Sequence, residues 1–381
     1  MRTWLILLLC FWLAACAEAP PAPASPALFD DARFAPPAER IDADDVFALS
    51  DEMRRYLDNE LADSLRSKGF ERGLVEALYR RSQLKLEYDS KMTRNAAQAF
   101  AARSGNCLSL VIMTAAFAKA LDVPVSYQSA YADETWSRSG GLYFRTGHVN
   151  IQLGRRLIDR GSGETTRMMI DFLPANELQG LRTTPISEAR VVAMFMNNRA
   201  AEALTRGEVD AAYWWAREAM RQSPDFLSAY NTLGVVYLRH GEPAQADRVF
   251  ARVLEREPAN AEALSNRAQA LTRLGRPDEA QALQRRLAQI EPYPPYHFYD
   301  LGRAAMDRGD YRAARDLFAR EVDRASYNAD FQYWLGLADF RLGDVEAARK
   351  HLALAMESSA TRDERDLYAA KLAWLRSYRR Q

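Results

Sequence analysis

The chain is poor in the residues that build metal and disulfide scaffolds. Its 381 residues hold three cysteines and four histidines. Three cysteines cannot make a disulfide framework, and no pair has zinc-ligand spacing. His148, His240, His297 and His351 are scattered and form no metal motif, so no metal or other cofactor is expected. An excess of either charge is also missing: 51 Lys and Arg face 51 Asp and Glu. A nucleic-acid binder normally carries a basic surplus or stripe, which excludes that class of partner. Proline is sparse at 16 residues while 48% of the chain is apolar, which excludes a mainly disordered chain. One long apolar run exists, Trp4 to Leu13, and it falls short of the roughly 20 residues that span a bilayer. The length fits two or three domains with real cores.

Met1-Arg2 ahead of that run gives it the flanks of a secretory leader. The following Leu13-Ala14-Ala15-Cys16 resembles the lipobox of bacterial lipoproteins. The resemblance implies removal of residues 1–15 and lipidation of Cys16. With Ala17 rather than Asp next, it implies a place in the bacterial cell envelope, at the periplasmic face of the outer membrane. Several acyl chains, at about 0.8 kcal/mol per buried methylene, anchor lastingly where one does not. An ordinary leader with an incidental cysteine is the plainer alternative. Prolines 20, 21, 23, 26, 36 and 37 among alanines make residues 16–40 read as a polyproline-like spacer with too few large apolar side chains to pack.

A fixed period dominates residues 193–362. Gly207, Gly241, Gly275, Gly309 and Gly343 are 34 residues apart, and Ala212, Ala246, Ala280, Ala314 and Ala348 keep the same step. Small residues let paired helices approach, a glycine ends the first helix in a left-handed conformation, and Pro224, Pro258 and Pro292 close units. The pattern is clearest in Tyr230, Leu233, Gly234, Tyr237, Gly241, Ala246, Phe250 and Pro258, and it resembles the tetratricopeptide repeat. That resemblance implies five stacked helix pairs forming an all-α solenoid, residues 363–381 capping it, and a protein partner on its surface. The aromatic run Tyr293, Tyr296, His297, Phe298 and Tyr299 either packs helices or lines a groove.

Between spacer and repeats, residues 41–185 read as helices followed by strands. Val46, Leu49, Met53, Leu57 and Leu61 mark one amphipathic helix, and residues 70–88 a second. Thr93 is placed to cap a third over 94–103, and an apolar helix runs from Cys107 to Leu121. Strands are expected at 123–130, 142–153 and 168–173, with a short one at Leu157-Ile158. Gly105-Asn106 puts Cys107 in the first turn of its helix, where unpaired backbone N–H groups favour a thiolate and can hold an oxyanion. His148 stands in a strand, and Asp171 is an acid in an apolar strand that needs a partner. A nucleophilic sulfur needs such a base and such an orienting group.

Gly105-Asn106-Cys107 opening a helix, followed by a strand histidine and a strand aspartate, resembles the bacterial transglutaminase-like superfamily. The likeness spans about residues 44–180. It implies an α+β papain/transglutaminase-like domain with Cys107 as nucleophile, His148 as general base and acid, and Asp171 orienting His148. Phe172-Leu173-Pro174 and the long stretch 132–145 before His148 depart from the common pattern. Asp159 is the fallback for Asp171, and Gln98, Tyr127 and Gln128 are candidate oxyanion donors beyond the Cys107 amide. The implied chemistry is acyl transfer through a Cys107 thioester on a peptide or protein substrate, with water or an amine as acceptor. The rival reading is a non-catalytic adaptor acting through its repeats. A stem-peptide amidase is a third, suggested by location alone.

Overall fold

The computed structural model describes residues 24–61, 65, 73–74, 86–89, 92–131, 136–139, 142–145, 148–154, 168–172, 182–359 and 361–377. The leader, Cys16, Asp159 and the Leu157-Ile158 strand lie outside these residues. No described helix is long and apolar enough to cross a membrane.

Helix α1 (Asp51–Tyr56) starts at Ser50, whose hydroxyl accepts the Met53 N–H, and runs into a wider π-type turn over Leu57–Leu61. It is shorter than the apolar spacing suggests, because Val46 belongs to a separate 3-10 turn. Glu87–Tyr88 is not the end of a helix but strand β1, paired in parallel with β2 (Ser104–Gly105). Helix α2 (Ala96–Ala102) is capped by Asn95, not Thr93: Asn95 and Gln98 exchange side-chain and backbone hydrogen bonds in a capping box. Helix α3 (Cys107–Ala120) is buried almost all round. It packs across β6 (His148–Leu153) of an antiparallel sheet ordered β7-β6-β3-β8, where β3 is Val125–Tyr131, β7 Met168–Ile170 and β8 Arg182–Ile186. The expected strand over 142–153 is two: β5 (Leu142–Arg145) pairs instead with β4 (Trp136–Ser139) in a separate hairpin. Strand β8 carries Pro185 at a sheet edge, the one place where a missing N–H costs no ladder bond.

From Glu188 onward the described chain is helical hairpins: α4 (Glu188–Thr205) with α5 (Val209–Gln222), α6 (Leu227–His240) with α7 (Pro243–Arg256), α8 (Ala261–Arg273) with α9 (Pro277–Ile290), α10 (His297–Asp307) with α11 (Tyr311–Arg324), and α12 (Ala329–Arg341) with α13 (Val345–Glu357). Helix α14 (Arg362–Ser377) closes the array on α13. All five period-34 glycines between paired helices have positive φ, from 71° to 91°, a conformation glycine adopts without strain. Gly234 is needed for a different reason, close approach, since a Cβ there would stand 2.3 Å from the Phe250 ring.

The array departs from an even stack in two ways. One buried core runs without interruption from Phe34 through α3 and β6 into α4–α8, so the first repeat helix is also a wall of the N-terminal unit. Glu188 at its start takes both the Lys119 ammonium and the Tyr127 hydroxyl. The second departure is a break. Every other helix in the array packs on its successor, but α9 does not pack on α10, and a separate core begins at Tyr296. Helix α9 buries only Ala280, since Gln284 stands where α7 and α11 carry Phe250 and Phe318. Prolines 292, 294 and 295, with Tyr296 at φ 65°, delay the start of α10 to His297.

The segment expected to be a bare spacer is also packed. Residues 26–39 form a strap across α5, α6 and α7, with 3-10 turns at Pro26–Leu28 and Asp31–Arg33. Phe34 lies flat on Tyr213, ring centres 3.9 Å apart, and against His240 at 4.4 Å. One well-housed aromatic, with its neighbouring main chain hydrogen-bonded by the repeats, achieves what the composition of the segment argued against.

Candidate functional site

Cys107 opens α3 because Asn106 caps it. The Asn106 Oδ1 accepts the Ser109 N–H at 2.9 Å and the Ser109 hydroxyl at 2.8 Å. Gly105 permits this turn: a Cβ there would stand 2.6 Å from Ser109 Cβ. The other end of the Asn106 amide donates to Thr93 Oγ1 at 2.8 Å, which also receives Asn198 of α4 at 3.2 Å. The Thr93 N–H donates to Glu202 of α4 at 2.6 Å. Thr93, the residue expected to cap a helix, thus ties the cysteine-bearing turn to the first repeat helix.

The sheet brings up the other two members. His148 and Asn150 are two apart in β6 and share a face. The β6–β7 register, Ile151 opposite Ile170, continues to put Asp171 opposite Asn150. His148 Nε2 lies 2.6 Å from Asp171 Oδ1, and both side chains are buried. Cys107 is close enough to act on the same imidazole, helping to raise its pKa. Cys107 is itself buried and free of any disulfide. Asn150 Nδ2 donates to Asp171 Oδ2 at 3.3 Å, steadying the carboxylate from the far side. Burial by itself would strip His148 of its proton. The hydrogen bonds to Asp171 and Cys107, with the fields of both, outweigh burial and push the imidazole up to about 9. Chemically, a ring that keeps its proton at neutral pH is poised to donate to a leaving amine.

Cys107, His148 and Asp171 are therefore brought together. The oxyanion candidates fare differently. The Tyr127 hydroxyl is committed to Glu188, whereas the capping box engages the Gln98 side chain through Oε1 and not through its NH2 donor. Gln128 stands opposite Asn150 in the register. Asn150 and the Thr93 link were missed by sequence reasoning. Asn150 was readable, since period-two alternation sets it on the His148 face; the Thr93 link was not, because its partners in α4 lie about a hundred residues away. Among the described residues no group of three His, Cys, Asp or Glu side chains is placed to hold a metal ion.

The repeats present a second candidate surface. Ile290, Tyr293 and Leu301, each 42–48% exposed, flank the break between α9 and α10. Of the aromatic run, Tyr296, Phe298 and Tyr299 are buried in packing, and Arg320 lies over the Phe298 ring at 3.6 Å.

Comparison with known proteins bears on this half. The solved structure of a thermophilic TPR protein of Thermus thermophilus is 16% identical over 48% of this chain and 99% of its own, with a TM-score of 0.29. Pseudomonas aeruginosa pilF is 20% identical over 49% of this chain and 92% of its own, TM-score 0.27. YrrB, described as a TPR protein with an unusual peptide-binding site, is 20% identical over 47% and 92%, TM-score 0.26. A family model described as "Tetratricopeptide repeat" matches residues 231–295 and 299–362. The helices over those two stretches are tetratricopeptide repeats.

Proposed function

We propose that the protein is an adaptor: its repeats hold a protein partner, and the N-terminal unit is built onto the first repeat helix as one body with it. The observation that carries this reading is the broken array, with large apolar side chains exposed on both sides of the break. Isolated exposed apolar residues mean little, but three of them, Ile290, Tyr293 and Leu301, fall on the two sides of one break in the array, and exposed apolar surface at such a place supports a protein contact. The Leu13-Ala14-Ala15-Cys16 run supports placing this adaptor in the bacterial cell envelope, tethered through a lipidated Cys16. A photo-crosslinking residue at Leu301 of the full chain, used in cells, should give one discrete protein adduct. Cys107→Ala should leave that adduct unchanged and Tyr293→Glu should abolish it. No adduct from Leu301, Ile290 or Tyr293 would contradict the reading.

A second reading is favoured by one specific observation, the shared imidazole between Cys107 and Asp171. It is the one implied by the likeness to the transglutaminase-like superfamily, an α+β papain-like domain working on amide bonds. The Cys107 thiol passes its proton to His148 and its sulfur attacks the amide carbonyl carbon; the C–S bond forms, the C–N bond breaks, and the His148 proton goes to the departing amine. Water or a second amine then attacks the thioester, giving its proton to His148 and releasing the sulfur. Under this reading iodoacetamide near pH 7 labels Cys107 rapidly, and His148→Ala slows labelling by about 100-fold, the lower end of what base assistance usually supplies. A thiol that stays unlabelled in the folded wild-type chain contradicts it.

A further inference from the structure

The strap is held in the way proteins hold peptides. Four of its main-chain groups are bonded by side chains of the repeats. The Leu28 carbonyl accepts the Tyr237 hydroxyl at 2.8 Å, and the Asp30 N–H donates to the Tyr213 hydroxyl at 2.9 Å. The Ala35 N–H donates to Asp210 at 3.2 Å, and its carbonyl accepts the Trp214 indole N–H at 2.6 Å. Main-chain bonds of this kind give affinity for any sequence, and side-chain pockets give selectivity.

Selectivity here comes from three places. Phe34 fills a slot walled by Tyr213, Tyr237 and His240. Asp31 accepts the Tyr213 hydroxyl at 2.6 Å and pairs with Arg217, while Asp30 accepts from Gln245 at 3.3 Å. Arg33 pairs with Glu242. Tyr213 and Tyr237 are fully buried, yet each spends its hydroxyl on the strap rather than on its own helical neighbours. Past Ala35 the fit is looser: an open depression of about 330 Å³ lies between residues 37–41 and Trp214, Arg217 and Glu218.

We propose that this surface of α5, α6 and α7 is a peptide-binding site that the chain fills in cis. Its partner in trans is a protein segment presenting the same chemistry: two acids, a spacer, a base, then an aromatic ring. The tethered strap competes at an effective concentration in the millimolar range, so a foreign segment enters when it also fills the depression past Ala35 or is held elsewhere on the array. This deepens the adaptor reading and rests on it. The two can fail separately, because crosslinking at Leu301 interrogates the far side of the break.

The test uses a fluorescent peptide of residues 26–40 and the full chain. The Phe34→Ala chain, its strap released and its repeat surface intact, should bind the peptide at least tenfold more tightly than the wild-type chain, and bound peptide should raise its melting temperature. A peptide with its own Phe34→Ala should not bind. A helical Phe34→Ala chain that ignores the peptide overturns the proposal. Should that variant lose its helices, amide exchange in the wild-type chain decides. Excess peptide then speeds exchange at Asp30 and Ala35 if the strap is displaced; unchanged protection overturns the proposal. Strap exchange between copies, seen as concentration-dependent dimerisation of the wild-type chain, would overturn the assignment of a foreign partner.

Discussion

Phe34→Ala should lower the unfolding free energy by about 3 kcal/mol, at the lower end of the range for deleting a buried phenylalanine. The ring is 5% exposed, and its loss does more than empty a slot. The Tyr213 and Tyr237 rings lose their cover, and their hydroxyls and the indole of Trp214 lose carbonyl and N–H partners. Tyr213→Phe tests the polar part separately. It removes one acceptor for the Asp30 N–H and one donor to Asp31, worth about 1–2 kcal/mol together. Urea unfolding followed by circular dichroism measures both. A Phe34→Ala chain as stable as wild type would mean that residues 26–39 are the loose spacer their composition suggests.

Stability should also fall on the alkaline side, and His148 sets the sign. Its folded-state pKa is raised, to about 9 from 6.5. A raised group contributes its stability fully below the unfolded value and loses it as pH climbs through the folded one. The contribution is therefore intact at pH 6.5 and is withdrawn by about pH 9, amounting to about 3 kcal/mol. Asp171→Asn removes the first of the hydrogen bonds that raise the ring and should flatten the slope over that window. The measurement is urea unfolding at pH 6.5 and 9 for both chains. Parallel slopes in wild type and Asp171→Asn would remove the His148–Asp171 pair from the account.

How much of this was legible depended on whether the constraint was local. The period-34 glycines were readable because a left-handed residue between helices strongly favours glycine, and all five adopt it. Asn106 was readable as a cap because the cap and the N–H it holds are three residues apart. His148 and Asp171 were readable as polar residues in apolar strands, although their meeting depends on the β6–β7 register, which the sequence does not spell out. What escaped was non-local. The strap looked unpackable because its partners are about 180 residues away, and no property of Phe34 names Tyr213. The break between α9 and α10 left only a faint mark, Gln284 in a phase held elsewhere by Phe250 and Phe318. Strand β8 escaped because Pro185 argues against a strand except at an edge, and edge positions are set by the sheet as a whole.

The most direct test of the central claim is replacement in the cell. A deletion strain supplied with full-length Cys107→Ala should recover as completely as with wild type, and Leu301→Glu, altered at an exposed site of a repeat helix, should fail. Recovery with Leu301→Glu and failure with a folded Cys107→Ala would contradict the adaptor account and move the function to the thiol.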